Sequence, residues 1–190
     1  DPFYYLNNFM QVLDWLEHRY ADVLSDEERR FIRDFNGLPR EPQALLVRLV
    51  MRKGIHFRAS KLHYAEIGDI DSAARPLLAL GWLDEREPIP VEVLFEVLLK
   101  AEILQCLGHA IAQPKGKKTD WLPTLCEQFN QAQSFNDWCP ALSDHLFSLT
   151  IMGLCDRLRL MFFGNLYQDW SEFVLADLGV LRYEQVPFST

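Results

Sequence analysis

The sequence predicts a mainly α-helical fold with minor β, in which N-terminal helices lead into a winged-helix-like unit and a second helical region follows. Three observations carry that expectation. Apolar residues recur at helical spacing along most of the chain. The order helix, short strand, helix, small returning strand occurs once, between residues 42 and 83. Glu87-Pro88-Ile89-Pro90 then interrupts the pattern as a linker, which sets the expected regions at 1–87 and 91–190.

Each element follows from local chemistry. Tyr5, Leu6, Phe9, Val12, Leu13, Leu16 and Tyr20 form one apolar stripe, with Asp14, Glu17 and Arg19 off it. Ser25-Asp26-Glu27-Glu28 is a capping box, because the Ser25 hydroxyl can satisfy the Glu28 amide while the Glu28 carboxylate reaches back. The helix it starts carries Phe31, Ile32 and Phe35 and ends at Gly37 and Pro39. A third helix is expected from Pro42 to Gly54, a strand within 55–62, a short helix reaching Gly81, and extended Trp82-Leu83. Beyond the linker, Val91 to Ala112 predicts one helix through Val93, Leu94, Val97, Leu98, Ile103, Leu104 and Leu107. A basic turn at 113–119 follows, with Asp120 expected to cap a helix through Leu122, Leu125 and Phe129. Residues 142–163 are apolar on more than one face, which predicts a helix buried on several sides or reserved for a partner. A last helix from Asp169 to Leu178 and a terminal strand at 180–183 complete the expectation.

The chain has 190 residues, 49% of them hydrophobic and 24% charged, enough material for a real core. That excludes a disordered tail, a coiled-coil rod and a collagen-like repeat. The longest uncharged apolar stretch, 145–155, is well short of the about 20 residues that cross a bilayer, so no membrane is expected as a partner. The opening Asp1-Pro2-Phe3 carries no signal-peptide features, and a start without Met points to a piece of something longer. Cys106, Cys126, Cys139 and Cys155 form no Cys-x-x-Cys pair, so reduced thiols in an intracellular compartment are expected, with no zinc site.

Net charge is −8, which on average repels polyanions, but its distribution is uneven. Residues 39–64 carry +5, from Arg40, Arg48, Arg52, Lys53, Arg58 and Lys61 against Glu41. Residues 100–120 carry +2, with Lys115, Lys117 and Lys118 clustered in the turn. Arg48 and Arg52 are four apart on one helix, and Lys53, Arg58 and Lys61 surround the turn and strand that follow. Cations spread across a helix end and a wing suit a phosphate backbone; the same residues also suit a solvated face with stems lying over the core. Signs of catalysis are missing: there is no Glu/Asp-x-Lys triplet, Pro-Asp dipeptide, Gly-x-Ser-x-Gly elbow or Walker loop. Of the five scattered histidines, His56 and His63 flank the basic strand. No catalytic and no metal-ligating residue is assigned.

Several segments resemble the Fanconi-associated nuclease family. They are Tyr4-Tyr5-Leu6-Asn7-Asn8-Phe9, Gln43 to Lys53, Lys61 to Ile67, Leu80-Gly81-Trp82-Leu83, Phe162-Phe163-Gly164-Asn165 and Phe173 to Gly179. The resemblance runs in order through nearly the whole chain and looks like the shorter bacterial form. It implies a parent enzyme that cuts DNA near 5′ flaps and acts in interstrand cross-link repair, using Mg²⁺ or Mn²⁺. It also implies an N-terminal helical and winged-helix region, a SAP-type region, a helical-repeat region and a C-terminal nuclease domain. Lys115 to Leu122 resembles the basic turn and second-helix start of a SAP motif, so 91–190 is expected to be SAP-like. Arg48, Arg52, Lys53 and Lys61 fall where family members place DNA-contacting cations. The nuclease domain, with its metal-binding acids, has no counterpart in this sequence, so the chain alone is expected to be inactive and to hold no cofactor.

The expected partners are therefore branched or flapped double-stranded DNA and the helical-repeat and nuclease domains of the same protein, with a homodimer as a further option. The expected location is the cytoplasm, at the nucleoid, for a bacterial protein and the nucleus for a eukaryotic one. A competing expectation is a protein-interaction or dimerisation segment that docks through 142–163.

Overall fold

Nine α-helices and a three-stranded sheet occur among the described residues, 1–164 and 168–171, of the computed structural model. In chain order they are α1 (Tyr4–Arg19), α2 (Asp26–Asn36), α3 (Arg40–Met51), β1 (His56–Arg58), α4 (Ile70–Ala79) and β2 (Leu83–Asp84). Then come α5 (Val91–Val97), α6 (Lys100–Leu107), α7 (Lys118–Gln128), α8 (Phe135–Trp138), β3 (Leu146–Leu149) and α9 (Met152–Phe163). Single 3-10 turns occupy Ala59–Lys61 and Gly108–Ala110. The mainly α fold with minor β is as expected; the predicted helix and strand beyond Ser171 lie outside the described residues. The chain divides into two compact units, the first taking residues 1–55, 63–82 and 149 onward, the second 56–62 and 83–148.

In the first unit α1 packs against α2, α3 and α9, and α3 against α4. The α1 stripe is sequestered as its spacing predicts, with Tyr5, Phe9, Val12, Leu13 and Leu16 fully buried. The capping box forms: Ser25 Oγ accepts the Glu28 amide at 3.1 Å and Glu28 Oε1 accepts the Ser25 amide at 2.8 Å. Helix α3 starts two residues earlier than expected, so Pro42 falls within its first turn, where a missing N–H leaves no bond unmade.

In the second unit the strands lie in the order β1-β3-β2, with β1 antiparallel to β3 and Phe57 opposite Phe147. The middle strand therefore comes from far along the chain. Residues 142–163 are not one helix but β3 followed by α9, and all four β3 residues are buried. A strand covered on both faces reads as an unbroken apolar run, which periodicity cannot tell from a buried helix.

The helix expected over 91–112 is also divided. Leu98 and Leu99 are extended, at φ −100°, ψ 145° and φ −74°, ψ 157°, and α6 starts only at Lys100. Neither glycine nor proline marks the break, because distant side chains satisfy it. Lys118 Nζ donates to the Leu98 carbonyl at 2.7 Å, Arg58 Nη1 to the Val97 carbonyl at 3.4 Å, and Glu102 Oε1 accepts the Leu99 amide at 2.8 Å. Helix α7 likewise starts before its expected cap: Asp120 is its third residue, and its Oδ2 accepts the Lys117 amide at 3.2 Å. The core of this unit gathers Val91, Leu94, Phe95, Ile103, Leu107, Trp121, Leu125, Phe135 and Trp138. Ile89 is buried there too, exchanging both backbone hydrogen bonds with Gln133. All four cysteines are free; Cys155 is fully buried, which pushes its thiol pKa up to about 12.

Candidate nucleic-acid interface

The eight cations singled out in the sequence separate into three kinds once their surroundings are seen. Arg58 is an internal residue. Its side chain is 7% exposed; Nε donates to Asp144 Oδ2 at 2.8 Å, while Nη1 and Nη2 bind the two oxygens of Glu102 at 2.7 and 2.8 Å. Both edges of the guanidinium are occupied, so the expectation that Arg58 touches a phosphate is corrected: it leaves the contact set. The hydrogen bond from Arg58 holds Glu102 below the ordinary carboxylate range, and the same pair raises the Arg58 pKa. Burial acts to raise Asp144, but the Ser60 hydroxyl and amide, the His145 amide and Arg58 more than reverse it, leaving its pKa lowered.

Arg48 is half-buried on α3. Its guanidinium carbon lies 4.1 Å from the Tyr5 ring centre and 4.8 Å from that of Tyr64, and Nη2 donates to Glu66 Oε1 at 2.9 Å. Burial acts to lower its pKa, and the hydrogen bonds to Glu66 and Tyr5 carry it above its ordinary value. Its charge is thus matched by an acid whose side chain is 8% exposed, and its role is packing. Four residues on, Arg52 is exposed at the end of α3 and donates to the Tyr64 hydroxyl at 3.3 Å. Lys53 beside it is exposed and makes no ion pair with the described residues. The first unit therefore offers Arg52 and Lys53.

The second unit brings together cations that the sequence separates. Lys118 Nζ reaches the Leu98 carbonyl at the start of the α6 turn. Lys100, in that same turn, places its ammonium 5.4 Å from the Trp121 ring centre on α7. Lys61, exposed on the 3-10 turn after β1, adds its field to those holding Glu102 ionised. Three lysines from three segments thus surround residues 98–102. Lys115 and Lys117 are exposed in the turn before α7. Sequence inspection passed over Lys100 because it stands apart from the basic turn; its one signal was its place in the +2 segment.

This turn is held by packing. Trp121 is 6% exposed, its Nε1 donates to the Gln113 carbonyl at 2.9 Å, and a Cβ at Gly116 would lie 3.1 Å from that nitrogen. Any larger residue at 116 would push against the indole and shift the lysines. Among the described residues no three histidine, cysteine or carboxylate side chains converge as metal ligands, and no helix is long and apolar enough to cross a membrane. The residues present thus do not fit a Mg²⁺ or Mn²⁺ site, and no step through such an ion is derived.

Two family models match the chain in succession: "FAN1, HTH domain" over residues 3–84 and "Fanconi anemia-associated nuclease SAP domain" over residues 88–138. The chain is 51% identical, over its whole length, to a Fanconi-associated nuclease 1 homolog from Pseudomonas aeruginosa. It is 27% identical, over 94% of its length, to the homolog from Arabidopsis thaliana. It spans 34% of the bacterial relative and 21% of the plant one. A crystal structure of paFAN1 bound to DNA with a 2-nt 5′ flap and gap matches 95% of the chain, and 33% of that protein, with TM-score 0.90 and 50% identity.

Proposed function

The chain belongs to the Fanconi-associated nuclease family, and from that premise we propose that it is the duplex-gripping portion of a structure-specific nuclease acting at 5′ flaps in interstrand cross-link repair. The convergence of Lys61, Lys100 and Lys118 on residues 98–102 carries this reading. Ammonium groups from separate segments, set on a buried scaffold, match the spaced charges of a phosphate backbone and read no base. Arg52 and Lys53 in the first unit, and Lys115 and Lys117 in the second, extend the contact set. The acidic remainder of a −8 chain confines a polyanion to those places. The paFAN1 complex with flap DNA supports the choice of substrate.

Hydrolysis, with its Mg²⁺ or Mn²⁺, belongs to the nuclease domain of the parent enzyme in this reading, and the working location is the bacterial cytoplasm at the nucleoid. The regions 1–87 and 91–190 are taken as its helix-turn-helix and SAP modules. The competing docking role for 142–163 loses its motive, since Leu146, Phe147, Leu149, Leu154, Leu158 and Phe162 are all buried.

Fluorescence anisotropy of a labelled 5′-flap DNA across a salt series tests the proposal. With about six phosphates neutralised, log affinity should fall against log salt with a slope near −5. Arg52→Ala/Lys53→Ala and Lys61→Met/Lys100→Met should each make it shallower by about 2. A slope near zero, or one that neither variant changes, overturns the assignment.

A further inference from the structure

We propose that Arg58 is a positioning residue for the lysine face of the second unit: by engaging Glu102 through a two-pronged ion pair, it prevents that carboxylate from capturing Lys61, which stays available to phosphate. The proposal rests on the DNA-gripping reading above. Arg58 faces two acids, and they differ in what else holds them. Asp144 accepts three further hydrogen bonds, from the Ser60 amide at 3.0 Å, the Ser60 hydroxyl at 2.6 Å and the His145 amide at 2.8 Å. Glu102 has one, from the Leu99 amide at 2.8 Å. Its side chain is 18% exposed against 5% for Asp144, so it is also the acid nearer solvent.

Without Arg58, Asp144 would keep its donors, and Glu102 would be left with a single amide. Lys61 already acts on Glu102 electrostatically and lies three residues from Arg58, across one 3-10 turn. It is the cation placed to replace the arginine, and its flexible stem lets it swing inward. One phosphate contact would then be lost although no contacting residue had been changed. A side chain that never meets DNA thus sets how many cations do.

Anisotropy with the same flap DNA and the full chain tests this, with circular dichroism to confirm folding of each variant. Arg58→Met should bind about fivefold more weakly with a slope shallower by about 0.9, the signature of one lost phosphate contact. Arg58→Met/Glu102→Gln should restore both, because no acid remains to capture Lys61. Lys61→Met should match Arg58→Met in slope, and the two changes together should go no further. Should Arg58→Met fail to fold, Arg58→Lys serves: it keeps a charge for Asp144 but has no fork for Glu102, and should shift the slope the same way. An unchanged slope in the folded Arg58 variant, or weak binding that Glu102→Gln fails to restore, overturns the proposal and leaves Arg58 a stability residue only. If the unaltered chain shows no salt-dependent binding, the DNA-gripping reading fails first and this proposal with it.

Discussion

Asp144 accepts four hydrogen bonds in the interior of its unit and faces a single guanidinium, an arrangement that makes it costly to break from one side. Asp144→Ala removes the anion but leaves a buried arginine with one partner fewer, and should cost about 3–5 kcal/mol in urea unfolding. The pH dependence follows from the directions of the shifts. Asp144 and Glu102 are both held below their ordinary values of 3.8 and 4.5, so their contribution is complete above about pH 4.5. It is lost as pH falls through the lowered folded values. The urea midpoint of the unaltered chain should decline below that point, and Glu102→Gln/Asp144→Asn should flatten the decline. Arg48 belongs to the same class: Arg48→Ala leaves Glu66 buried and unpaired and should cost about 3 kcal/mol, whereas Lys53→Ala should stay within about 0.5 kcal/mol. Residue type announced the charge of Arg48 and Arg58 but not their burial, since Glu66, Glu102 and Asp144 lie 18, 44 and 86 residues away.

At the scale of elements, helix α6 carries a defect that can be repaired. Its N-cap is Leu99, 60% exposed, with φ −74° and ψ 157° and no side-chain cap bond. Ser25 and Ser134 cap α2 and α8 from nearly the same backbone geometry, at φ −70°, ψ 164° and φ −63°, ψ 154°, and each accepts an amide three residues on. Leu99→Ser should therefore stabilise the chain by about 1 kcal/mol and raise Tm by about 2–4 °C in a calorimetric scan. A lowered Tm would mean that the exposed leucine packs on something. Helices with their own signals could be read directly: the α1 stripe, the Ser25–Glu28 box and the Gly37-Leu38-Pro39 stop all act within one or two turns. The α5–α6 break could not, because its carbonyls are satisfied by Arg58 and Lys118, 39 and 20 residues distant. Strand β3 was hidden for another reason, its burial on both faces having erased the alternation that marks a strand. The basic turn before α7 was readable as a cluster, while its meeting with Lys61 and Lys100 required the break that nothing local encodes.

For the molecule as a whole, the units and the family-model spans are cut differently, and that difference has a consequence for folding. The chain passes from one compact unit to the other after residues 55, 62, 82 and 148, whereas the two family models simply follow one another and end at residue 138. A fragment 1–138 would contain both matched spans and would lack Asp144, β3 and α9. Strands β1 and β2 flank β3 and do not pair with each other, so neither would retain a hydrogen-bonded neighbour. Arg58 would lose one of its two acids, and α1 would lose the helix that packs on it, with the buried Leu154, Leu158 and Phe162. Removing several large buried side chains exceeds the 5–15 kcal/mol that hold a typical domain together. The fragment should therefore show no cooperative thermal transition and little near-ultraviolet dichroism, and extending it to residue 171 should restore both. A cooperative melt of 1–138 would show instead that the first four helices and α5–α8 close their cores without the distant strand, and that β3 adds to a fold already complete.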